Sequence, residues 1–152
     1  MMEITLSINK GEVMKEIAIT TAYTGGKMVD NDENALNRIS TVDEDEQHLE
    51  RFWEESRTDI CQELIGLVVS EGMHDGCYEL RLDVSKSFDA ALLPSMNLSL
   101  FSYFVQNIVA KWYIYTNKGE AGEYADKAST LLDDIHRKAV YKKKPTRPTY
   151  DD

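Results

Sequence analysis

Three histidines, two cysteines and two acidic runs are the residues of this chain whose types could do chemistry, and their spacing decides what chemistry that is. His48, His74 and His136 fall on three different predicted elements, and none lies beside a Cys or Ser as a base beside a nucleophile. Convergence in space is their one route to a site. Cys61 falls inside a helical pattern and Cys77 at the start of a strand, with no CxxC and no suitably spaced His, so both read as reduced, buried thiols rather than metal ligands. The run TGGK, residues 24–27, offers a lysine after glycines but lacks the leading glycine of a phosphate loop, and Met28 stands where Ser or Thr would follow. Asp30, Asp32 and Asn34 have the opening spacing of a calcium loop, yet Ala35 replaces the turn glycine and Thr41 the closing bidentate Glu. The carboxylates of DNDEN and DEDEQ read as a solvated loop and a helix start. These residues predict no catalytic group, no metal and no cofactor, and the chain is expected not to be an enzyme.

The elements that must position any site follow from periodicity. Met2, Ile4, Leu6 and Ile8 alternate with polar residues, which predicts a strand over about 2–8 with one buried face. Asn9 and Glu12 are spaced as a capping box. Val13, Ile17 and Thr21 then share a helical face as far as Gly25-Gly26, where a left-handed stop is expected, although the β-branched run IAITT leaves a strand open. Residues 27–41 are polar and aperiodic, a surface loop. Thr41 and Glu44 form a second capping box, and Leu49, Trp53, Ser56, Ile60, Leu64 and Leu67 predict a helix over about 42–70.

After a turn at EGMHDG, Tyr78, Leu80, Leu82 and Val84 alternate as a second strand over 77–84. Two strands with one apolar face each are expected to pair as a small antiparallel sheet. Pro94 marks a first helical turn or a kink, and Leu98, Phe101, Val105, Ile108, Trp112 and Tyr115 predict a central helix, thickened by Phe104 and Val109. TNKG, residues 116–119, breaks it. A last helix over about 120–141 carries Tyr124, Ala128, Leu131, Ile135 and Ala139 inward, and so short a link predicts an antiparallel hairpin. The expected fold is α+β, mainly α: a four-helix bundle-like domain over 1–141 with a small two-stranded sheet.

Charge separates the end of the chain from its body. Residues 1–141 hold 13 Lys and Arg against 25 Asp and Glu, whereas six basic residues and no acidic one fall between Arg137 and Arg147. An acidic body repels free nucleic acid, so sequence-specific DNA binding is not expected. No run reaches the ~18 apolar residues of a membrane span, and MMEITLSINK lacks the features of a leader, so the expected location is the cytoplasm. The tail over 142–152 is cationic and proline-spaced. Its Lys142, Lys143, Lys144, Pro145, Arg147 and Pro148 are the candidate partner-binding residues, with a solubilising tail as the alternative. Within WYIY, residues 112–115, Trp112 and Tyr115 are expected on the core face and Tyr113 elsewhere, where it becomes a candidate interface ring.

The runs FVQNIVAKWYIYTNKGEAGEYADKA, residues 104–128, and IHRKAVYKKKPTRP, residues 135–148, carry a resemblance. They are similar to the C-terminal half of small head-to-tail connector, or head-completion (neck), proteins of tailed phages and prophages of gut bacteria. Lys111, Trp112, Tyr113, Asn117, Lys118, Glu120, Tyr124, Pro145, Thr146 and Arg147 match that pattern. TAYTGGKMVD and the Trp-containing helix after TVDEDE extend the likeness into the N-terminal half. The resemblance implies a virion structural protein that self-associates into a ring and meets the phage portal and tail-side neck proteins, first in the host cytoplasm and then in the particle. It also adds Lys118 to Tyr113 as a possible interface residue. A reading of another class is a small acidic regulatory or inhibitory binding protein of a mobile element, whose acidic body would mimic nucleic acid and whose 43–47 region would meet a host nucleic-acid enzyme.

Overall fold

The alternation of Met2–Asn9 makes strand β1, the middle of whose buried face is Ile4, Leu6 and Ile8. In the computed structural model, which describes residues 1–27, 41 and 45–145, this strand feeds directly into helix α1, Lys10–Lys27. The Asn9 side chain accepts the Glu12 amide at 2.9 Å, as a cap should. Val13, Ile17 and Thr21 are fully buried on one face, so packing overrides the strand preference of the β-branched run. The expected stop at Gly25-Gly26 does not occur. The helix runs on to Lys27, because Thr21 and Thr24 are buried and this last stretch is part of the surface packed on the central helix.

Helix α2 spans Glu46–Glu63 and buries Leu49, Phe52, Trp53, Ser56 and Ile60. It is shorter than the expected 42–70. Asp45 precedes it without a side-chain cap bond, and Glu44, the partner proposed for Thr41, lies outside the described residues. Leu64 ends the helix, and Gly66, at φ +92°, takes a left-handed conformation that an L side chain rarely adopts. The chain then enters a strand that the helical reading absorbed: β2, Val68–His74. Asp75 (φ 49°) and Gly76 (φ 78°) make a two-residue turn with both residues left-handed, the geometry whose twist matches a hairpin. Strand β3, Cys77–Val84, follows.

β3 is central. It pairs antiparallel with β1 from Met2↔Val84 to Asn9↔Cys77, as expected, and with β2 on its other edge, with an irregularity between Val68 and Ser70. The sheet therefore has three strands, not two. Tyr78, Leu80, Leu82 and Val84 form the buried row of β3.

Helix α3, Leu93–Thr116, begins with Pro94 in its first turn, where the missing amide hydrogen costs nothing. It is the central element and buries eleven residues, among them Met96, Leu100, Tyr103, Phe104, Ile108 and Tyr113. The expected stripe holds at Phe104, Val105, Ile108, Val109 and Trp112, but its two ends turn outward: Leu98 is 68% exposed and Tyr115 73%. Nearly every side of this helix is apolar, so spacing alone leaves its orientation open; the sheet on one side and the last helix on another decide it. Asn117 breaks the chain for a single residue (φ −154°, ψ 69°) before helix α4, Lys118–Val140. α3 and α4 pack as the expected hairpin, with Ala121, Ala128, Ile135 and Ala139 buried between them and the body. The fold is α+β, mainly α.

Candidate functional site

The tail leaves the body from a fixed point. Arg137 and Lys138 lie in the last turn of α4, where cations face the negative end of the helix dipole. Lys138 pairs with Asp134 at 2.8 Å and donates to the Ser95 hydroxyl, and Ser99 Oγ donates to Asp134 at 3.0 Å. Burial raises the Asp134 carboxyl, but the bonds from Lys138 and Ser99 outweigh it and hold the group below its ordinary range. This cluster ties the end of α4 to the start of α3. Tyr141 then turns extended (φ −65°, ψ 134°), and the Lys143 amide donates to the Ser87 carbonyl at 2.7 Å. The chain is thereby led past the loop before α3. Lys142, Lys143, Lys144 and Pro145 are exposed and lie outside any helix or strand. Arg147 and Pro148 lie outside the described residues.

The two remaining candidates separate. Lys118 is exposed at the first residue of α4. Tyr113 is not an interface ring. It is 0% exposed and meets Tyr124 edge-on at 5.1 Å, and burial pushes its phenol up to about 12. The exposed ring of WYIY is Tyr115, expected inside, which lies nearly parallel to Phe52 at 6.5 Å between centroids.

The residues considered first for chemistry stay apart. His48 sits near Trp112, His74 near Asp75 at 3.5 Å and His136 near Glu63 at 3.8 Å. Cys61 and Cys77 are free and only partly buried; Cys61 Sγ lies 3.8 Å from the Tyr78 hydroxyl, and burial raises its pKa, the opposite of nucleophile activation. Among the described residues no group of His, Cys, Asp and Glu is placed to hold a metal, and no helix is long and apolar enough to cross a membrane. The calcium-like spacing and most of the TGGK–DNDEN segment fall on residues outside the description.

Sequence reading missed a groove of about 560 Å³ on the outer side of the α3–α4 hairpin, lined by Ser102, Gln106, Glu123, Asp126, Thr130 and Leu131 together with Lys127. Its signal was present as Glu123, Asp126 and Thr130, spaced to share one helical face beside the Ser102–Gln106 turn of the neighbouring helix. Compared with family models, curated proteins and solved structures, the chain matches none of them.

Proposed function

We propose that this chain is a structural subunit of a phage particle, a head-to-tail connector that assembles as a ring on the portal. The observation that carries the reading is the exit of the tail: an exposed, cationic segment leaves a pinned helix end on a body in which acidic residues outnumber basic ones 25 to 13. Such a segment has no core to join, and its prolines reduce the conformational freedom lost when it docks. A contact between the tail of one copy and the body of the next is heterologous, and a heterologous contact closes into a ring when its rotation allows. The resemblance of residues 104–148 to connector proteins supports the same reading. In this role mechanism is geometry. The α3–α4 hairpin gives each subunit a rigid wall, the tail joins it to its neighbour, and an acidic surface lets DNA pass without binding it.

The test is peptide mass spectrometry on particles purified through a density gradient from the bacterium that carries the gene. A fixed ratio of this chain to the portal protein, near one, is the expected result. Production of the chain in cells whose complete particles lack it would overturn the connector role and favour a regulatory binding protein.

A further inference from the structure

The groove on the α3–α4 hairpin has the chemistry of a receptor for a lysine-bearing extended segment. Glu123 and Asp126 stand at its edge on the exposed face of α4, and Leu131 supplies an apolar surface along which lysine stems can lie. Asp126 pairs with no cation among the described residues, and Glu123 has only Lys127 at 3.5 Å, an exposed neighbour on the same helix. Gln106, from α3, also lines the groove, and its Oε1 has no hydrogen-bond donor among the described residues.

α4 and its continuation are charged in opposite senses. From residue 119 to 136 the helix holds five carboxylates and one lysine, whereas Arg137 to Lys144 is wholly basic among its charged residues. We propose that the groove receives Lys142 and Lys144 from the tail of a second copy of this chain. Alternate residues of an extended segment stand about 7 Å apart on one side, and Glu123 and Asp126 are separated by about 5 Å along the helix, within the reach of two long side chains.

The chain's own tail does not reach. Asp126 lies fourteen residues before Val140, about 21 Å back along the helix, while the two residues to Lys142 and its side chain together span only about 13 Å. Lys144 follows the Lys143 amide, which is held on the Ser87 carbonyl before α3. The groove of each copy thus lies beyond the reach of its own Lys142 and Lys144. The assignment deepens the connector reading and rests on it for the presence of a neighbour.

The experiment mixes isotopically heavy and light full-length chains at about 0.5 mM, where a weak contact is populated, and joins paired lysines and carboxylates with a carbodiimide. Peptide mass spectrometry is expected to find Lys142 or Lys144 of one isotope joined to Glu123 or Asp126 of the other. Links within one isotope only, links to carboxylates elsewhere, or no tail link at all would each overturn the assignment. A charge swap checks it without cross-linker. Glu123→Lys with Asp126→Lys, or Lys142→Glu with Lys144→Glu, is expected to weaken self-association about tenfold by sedimentation velocity, and all four changes together to restore it. Failure of the fourfold variant to restore association, with its circular dichroism unchanged, also overturns it. The two proposals fail separately: particles that lack the chain sink the connector role, whereas tail links elsewhere sink only the groove.

Discussion

Two regions of this molecule handle polar groups in opposite ways. Where α2 meets the sheet and α3, the aromatic rings are turned inward: Trp53 lies 4.5 Å from Phe104 between ring centroids and meets Tyr78 edge-on, and Tyr78 lies 5.3 Å from Phe104. Apart from the buried Trp53 Nε1, which has no acceptor among the described residues, the polar groups there are matched within the chain. Asn107 donates to Ser56 Oγ at 2.7 Å, Tyr103 donates to the Ser56 carbonyl, and Arg57 holds both Glu71, through two nitrogens, and Glu54. On the outer face of α4 and along the tail, Asp126 and the three lysines are exposed and have no counterparts among the described residues. Matching polar groups inside a chain fixes a fold; leaving charge unmatched at its surface fits a protein that completes itself with a neighbour.

The contrast is broken most severely from the inside. Trp53→Ala opens a cavity among buried rings and is expected to lower stability by about 3–5 kcal/mol in a denaturant titration, a loss large enough to threaten folding. Alkaline pH attacks the same region next. Burial raises the Tyr78 and Tyr103 phenols well above their ordinary value of 10.0, and Tyr113 to about 12. A folded-state pKa above the unfolded one contributes stability that is complete below the unfolded value and lost as pH rises. Thermal scans should therefore show a falling melting temperature from pH 10 upward, and Tyr103→Phe should shift that limb to higher pH. A flat alkaline limb would mean that these rings are not buried together. Ser56→Ala removes the oxygen that accepts from Asn107 and is expected to cost about 1–2 kcal/mol in the same titration.

These predictions rest on a region that was largely legible in the sequence. Alternation exposed β1 and β3 and the face that each buries, because a half-buried strand has no freedom to change phase. Helical spacing exposed Trp53, Ser56 and Ile60 for the same reason. β2 was hidden because Leu64 and Leu67 continue the helical interval across Gly66; the Asp75-Gly76 turn was the signal that a strand precedes it. The error over Tyr113 and Tyr115 has a different cause. A helix apolar on nearly all sides carries no phase information, and only the partners packed around it turn one ring inward and the other out. The groove was illegible because one wall comes from a second helix: Glu123 and Asp126 look like any solvated face until Ser102 and Gln106 are brought beside them.

Smaller effects sharpen the comparison at the point where the two regions meet. Asp134, bonded to Lys138 and Ser99, and Glu55, bonded to Lys111, both keep pKa values below their ordinary 3.8 and 4.5, even though burial alone would raise them. A lowered folded-state pKa gives stability that is present above the unfolded value and lost as pH falls through the folded one. Acid titration from pH 5 to pH 2 should show that loss, and Asp134→Asn should remove part of it by making the variant less stable only above about pH 4. A variant equally destabilised at both ends would assign the effect to packing instead of charge.

The smallest expected change in stability belongs to the tail. Lys142→Glu with Lys144→Glu alters only exposed side chains on a segment attached to the body through the Lys143 backbone amide, so the melting temperature should stay within the range of ordinary surface substitutions, about 0.5 kcal/mol. Self-association should nevertheless weaken, and weaken further with added salt in the parent chain, since pairs formed between exposed charges are screened. The combination is the informative result. A stability loss comparable to that of Ser56→Ala would show that the lysines serve the chain's own fold, and the difference between the two regions would then be one of exposure rather than of purpose. Unchanged stability with lost association would place the tail's charges where the unmatched carboxylates of α4 already point, on the neighbouring copy.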